Sequence, residues 1–137
     1  MTTNAPSYTS LKNAVDQTRD QHVAAVNAGD AEAATALFGS EAIFLPPRAP
    51  ALQGAPAIRA WFTQVFATFN IQGFGLQPGA VEQRGDLMIE HGDWKATFQP
   101  KNGSPGLPAA GTYLTVYARL SDGSVRVIRD TFNGMPG

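Results

Sequence analysis

The sequence predicts an α+β domain in which a curved, mostly antiparallel sheet packs against three N-terminal helices. Three observations predict it. A helical run through His22-Val23-Ala24-Ala25-Val26 breaks at Asn27-Ala28-Gly29-Asp30 and resumes at Ala31. Gly29 tolerates the positive φ that ends one helix, and Asp30 can cap the next, so two helices meet at a tight corner. Farther on, Ile58, Trp61, Phe62, Val65, Phe66 and Phe69 recur at three- and four-residue steps, the strongest amphipathic signal in the chain. The second half then reads as strands separated by glycine and proline, and helices followed by antiparallel strands argue for α+β. A curved sheet with helices on one side encloses a pocket.

The elements follow in order. Residues 1–7 read as a loose tail. Ser7 or Ser10 can cap a first helix running to Ala28, with Leu11, Ala14, Val15, Val23 and Val26 at helical spacing around a polar middle. A second helix spans 31–38. Ala42-Ile43-Phe44-Leu45 reads as a short buried strand stopped by Pro46-Pro47. Residues 46–54 form a proline-rich loop, and helix three covers 57–69. The stretch 71–84 is a broken strand, its Gly73, Gly75 and Pro78-Gly79 suiting bulges and bends. Residues 87–99 make the next strand, 100–110 a flexible connection and 111–120 another strand. Asp122-Gly123 supplies the positive φ of a hairpin turn before a last strand over 125–132.

At 137 residues the chain forms one domain with a real core. Only 15% of residues are charged, which is low and suggests that some surface is hidden by self-association. The net charge is −1 and the ten Lys and Arg are scattered, so no basic field attracts nucleic acid or a membrane surface. Cysteine is absent, which excludes disulfides, thiolate catalysis and Cys-based metal sites. No apolar run approaches the ~20 residues that span a bilayer, and the N-terminus lacks a charged-then-apolar signal, so a cytoplasmic location is the expectation. No glycine-rich phosphate loop is present, since Gly73-Phe74-Gly75 lies in a strand pattern and precedes no helix. No cofactor is expected.

Strand parity selects the chemistry, because alternate residues face opposite sides. On the even face of 87–98, Glu90 stands among Met88, Gly92, Trp94, Ala96 and Phe98. On one face of the last strand, Asp130 stands between Ile128 and Phe132. Burial of a carboxylate raises its pKa unless it is paired. Either Glu90 and Asp130 point into the cavity as general acid, base or ligand anchor, or each is satisfied by an arginine, a backbone N–H or solvent. His22, on helix one, titrates near neutral pH in water and can donate to a substrate oxygen, or is a surface or structural histidine. His91 has the opposite parity to Glu90 and faces outward or into a subunit contact. The two histidines show neither HxH nor HExxH spacing, and no metal site is expected. In 111–120, the apolar face Leu114, Val116 and Ala118 is the candidate for the concave side. Tyr113, Thr115 and Tyr117 then lie on the convex side, where a second subunit can cover them. The expected lining is Trp61, Val65, Trp94, Val116, Ile128 and Phe132.

The run His22 to Asp30, then Ala36-Leu37-Phe38, then Gly54 opening helix three, resembles the nuclear transport factor 2-like superfamily, and within it the SnoaL-like and ketosteroid-isomerase-like proteins. Gly111-Thr-Tyr-Leu-Thr-Val-Tyr117 and Arg126-Val-Ile-Arg-Asp130-Thr-Phe-Asn133 resemble the last two strands of stand-alone bacterial members. The likeness spans about residues 10–133. It implies a cone-like barrel of cystatin-like topology, a pocket between sheet and helices that takes a small apolar ligand, and a homodimer through the outer sheet face. It also implies an isomerase, dehydratase or cyclase acting on a carbonyl or hydroxyl compound, or a binding or scaffold domain without catalysis. The isomerases' carboxylate base falls at Pro46, their oxyanion-donating Tyr at His22, and their protonated Asp near Val116. Steroid isomerisation by that base and those donors is therefore not expected. Asp130 matches an Asp that SnoaL-like sequences often carry on the final strand.

Overall fold

The structure, a computed structural model, describes residues 6–136. Of the tail expected over 1–7, residues 1–5 lie outside the described residues. Helix α1 (Tyr8–Ala28) begins at Ser7, whose hydroxyl accepts from the Ser10 N–H. It ends at Gly29, in the left-handed conformation with φ 65°. Asp30 caps α2 (Ala31–Thr35) by accepting from the Ala33 N–H at 3.0 Å. The helical corner thus forms from the two residues that predict it.

Helix α2 stops at Thr35, three residues before the expected end. Phe38 instead opens β1 (Phe38–Leu45), buried and paired with Val127. Joining the sheet outweighs one more helical turn, because the ladder and the burial of the Phe38 ring are gained together. The proline-rich loop contains β2 (Leu52–Gln53), which hydrogen-bonds to β1. Helix α3 spans Ala55–Thr68 and buries Ile58, Phe62, Val65 and Phe66.

The long strands β3 (Phe69–Arg84), β4 (Leu87–Pro100), β5 (Leu107–Arg119) and β6 (Val125–Phe132) follow. Part of the expected connection 100–110 is strand, since Pro100 ends β4 and Leu107–Ala110 extend the β4 ladder. The sheet order is β2-β1-β6-β5-β4-β3, with only β1 and β6 parallel. β3 bulges between Gln72 and Gly75 and between Pro78 and Ala80, at the predicted breakers. Each bulge bends its strand and sharpens the twist. The sheet curves over α1 and α3 but does not close, leaving β2 and β3 as its edges.

Two register details place the interior. β5 carries Tyr113, Thr115 and Tyr117 inward and leaves Leu114 44% exposed, the reverse of the expected face. The inward side is the one with hydroxyls because they meet carboxylates across the ladder. In β6, a bulge sets Val116 opposite Arg129 but Tyr117 opposite Val127, so Ile128 is the extra residue. Val127 and Asp130 therefore share the inner side even though their spacing is odd.

Candidate functional site

Three neighbouring strands put Glu90, Thr115 and Asp130 in one row across the inner face, because Glu90 pairs with Thr115 and Thr115 with Asp130. Glu90 is fully buried. Arg19, reaching down from α1, grips it with two donors: Nε to Oε2 at 3.0 Å and Nη2 to Oε1. The Tyr113 hydroxyl donates to Oε2 at 2.5 Å. The third arm of Arg19, Nη1, donates to Asp16 at 2.8 Å. A buried carboxylate with a bidentate guanidinium and a phenol is satisfied. Gly92 makes room for this arrangement, since a Cβ there would lie 2.8 Å from the Tyr113 hydroxyl and 2.3 Å from the Gln77 carbonyl.

Asp130 has less. Its Oδ1 accepts from the Thr115 hydroxyl at 2.8 Å, and no cation is paired with it among the described residues. Burial pushes its carboxyl up from the usual 3.8 to about 7. The charge of Glu90 adds to that push, while bonds from Thr115 and the Thr131 N–H oppose it. Near neutral pH the group is close to half protonated, the condition in which a carboxyl both gives and takes protons.

Asp130 lines a cavity of about 90 Å³, partly open to solvent, between α1, α3 and the sheet. That exceeds the ~10–15 Å³ a single water needs. Thr18 and His22 enter from α1, and Thr115, Tyr113 and Tyr117 from β5. The remaining wall is largely aromatic, with Phe44, Trp61, Phe62, Phe74, Trp94 and Phe132 among its rings. His22 packs edge-on to Phe62 and Phe74, its ring centroid 6.4 and 5.7 Å from theirs. Burial pulls its pKa from 6.5 down to about 4, so it is neutral at pH 7. Burial and Glu90 together push the Tyr113 and Tyr117 hydroxyls upward, which keeps both protonated. Trp94 is fixed by its Nε1–H, which donates to the Asn133 carbonyl at 2.7 Å. Among the described residues no group of three metal-ligating side chains converges.

The pattern of the SnoaL-like domain fits residues 20–128. The chain belongs to the SnoaL-like family. The fold is shared with solved structures of low sequence identity. A ketosteroid isomerase-like protein from Erwinia carotovora atroseptica superposes with a TM-score of 0.82 at 19% identity, covering 91% of this chain and 96% of that one. A nuclear transport factor 2-like superfamily protein from Salmonella enterica gives 0.81 at 17%, covering 96% and 95%. A member of the same family from Streptomyces avermitilis, whose name proposes a dehydratase, gives 0.80 at 17%, covering 96% and 100%. No curated protein matches the sequence.

In this SnoaL-like domain the expected site residues divide. Asp130, His22, Trp61, Val65, Trp94 and Phe132 all line the cavity. Glu90 lies behind the wall, locked by Arg19 and Tyr113 rather than open to a ligand. Val116 and Ile128 are outside it. Val116 is on the outward side of β5, and the β6 bulge turns Ile128 away, its Cγ2 packed beside Gly39. His91 faces outward, as its parity requires. The strand-end position expected to hold an isomerase base is Pro46, buried and without a carboxylate. Parity alone missed Arg19, Thr18, Tyr113, Thr115 and Tyr117. Arg19 and Thr18 were findable: the steps Leu11, Val15, Thr18/Arg19, His22 and Val26 form one helical stripe facing the sheet.

Proposed function

We propose that this SnoaL-like domain is a small-molecule acid/base catalyst, acting on a mostly apolar carbonyl or hydroxyl compound in an isomerisation, dehydration or cyclisation. The carrying observation is Asp130, a carboxyl poised near pH 7 in an aromatic cavity with one oxygen held by Thr115. Thr115 donates to Oδ1, which favours a proton of Asp130 on Oδ2. Asp130 exchanges the proton. Neutral His22 and the Tyr117 hydroxyl, neither hydrogen-bonded to another described residue, are donors for the substrate oxygen. The Streptomyces relative's name supports a dehydratase, and the Erwinia relative's an isomerase.

Deuterium uptake at carbons next to the carbonyl of small cyclic enones, followed by NMR, tests this. Asp130→Asn is expected to slow exchange by about 100-fold or more while the protein stays folded, as read by circular dichroism at the assay pH. Exchange equal to the wild type would leave a binding domain without catalysis. We also propose a homodimer through the outer face of β5, where Leu114 is exposed beside Val116. Leu114→Lys is expected to shift the sedimenting species to monomer.

A further inference from the structure

Six of the cavity's rings form a closed circuit of neighbours. Starting at His22, centroid separations run 5.7 Å to Phe74, 6.3 Å on to Trp94, 5.6 Å to Phe132, 5.9 Å to Phe44, 5.9 Å to Phe62 and 6.4 Å back to His22. They come from four strands and two helices, so the circuit is a product of the tertiary fold rather than of local sequence. All six line the cavity. The charge around them has one sign. Asp130 is the acidic group on the wall, no Lys or Arg among the described residues lines it, and Arg19 spends its donors on Glu90 and Asp16 behind it.

We propose that the cavity takes a ligand bearing an organic ammonium group, its cationic head seated among the rings of His22, Phe74, Trp94, Phe132, Phe44 and Phe62 and beside the carboxylate of Asp130. Ring faces carry negative potential, and cages of such rings hold alkylated ammonium ions, which are too weakly hydrated to resist leaving water. An anion finds nothing here: the wall offers hydroxyls and a neutral imidazole but no positive charge, and Asp130 repels it. A neutral hydrocarbon fits the rings but offers Asp130 no countercharge. Neutral His22 adds a ring without a competing charge. The inference rests on the proposed function only in taking the cavity as the ligand site; it does not require that Asp130 move a proton.

Choline and 3,3-dimethylbutan-1-ol share one shape and differ by the charge, which makes them the test. The chain's two tryptophans, Trp61 and Trp94, both line the cavity, so intrinsic fluorescence reports its occupancy. At matched ionic strength choline is expected to bind about tenfold tighter than the alcohol. Asp130→Asn and Phe74→Leu are each expected to erase most of that preference while leaving the alcohol's affinity within about twofold. Phe74 is only partly buried, so its replacement by Leu keeps apolar bulk at the site and removes the ring. Equal or tighter binding of the alcohol, a preference that survives both variants, or binding of neither probe overturns the ammonium ligand. None of those results touches enone exchange in the wild type, which stands or falls on Asp130→Asn alone.

Discussion

Glu90 and Asp130 occupy matching places on the inner face, one strand on either side of Thr115, and have opposite fates. Glu90 receives three hydrogen bonds, two of them from a guanidinium. Asp130 receives one from a side chain, a threonine hydroxyl. What separates them is reach. Arg19 lies on the stretch of α1 above β4, while the helix stripe turns to His22 and Val26 where it meets the cavity. A carboxylate given a cation becomes a structural tie, and one denied it keeps a proton within reach of neutral pH.

The comparison can be broken most severely at Arg19. Arg19→Met strands a buried charge and is expected to cost about 3–5 kcal/mol in urea unfolding, whereas adding Glu90→Leu should recover much of it. Recovery of nothing would mean that Arg19 acts through packing alone.

Next in size is the pH dependence. Asp130's folded pKa, about 7, lies above its ordinary 3.8, so its contribution is full below about 4 and is lost as pH rises to 7. His22 runs the other way. With its folded value near 4 against 6.5, its contribution is full above 6.5 and is lost as pH falls to 4. At most the Asp130 term is roughly 4 kcal/mol and the His22 term roughly 3, and over that window they oppose each other. The wild type should therefore show a flattened stability profile. Asp130→Asn should expose a rise in stability with pH, and His22→Phe a decline. Thermal melts between pH 4 and 8 check both slopes.

Smaller effects sharpen the contrast. Tyr113→Phe removes a donor from Glu90 and should cost about 2 kcal/mol. Thr115→Val should cost about 1 kcal/mol and move Asp130's midpoint, read by carboxyl-carbon NMR, above 7. Thr115→Ser should leave it in place.

Much of this was legible beforehand. Gly29 and Asp30 set the helical corner because each has a backbone role few residues share, and β4's alternation put Glu90 on the inner face but left open whether it met the cavity or an arginine. β5 misled because an apolar face was equated with the interior. In β5 the inward face carries the hydroxyls that bond the two buried carboxylates, and the outward face carries Leu114. The β6 bulge at Ile128 leaves no trace in the residue types, since both Val127 and Ile128 suit either side. Which carboxylate would find an arginine depended on where α1 crosses the sheet, a tertiary fact.

The rim of the cavity beyond β6 has a consequence of its own. Met135 forms part of the wall, and among the described residues the carbonyls of Met135 and Pro136 accept side-chain bonds from Arg48 alone, at 3.1 and 3.0 Å. Every other stretch of wall belongs to a helix or a paired strand. Two solvent-exposed bonds and the packing of Met135 against the core hold this rim in place, with no ladder, which makes it the least tethered stretch of the wall.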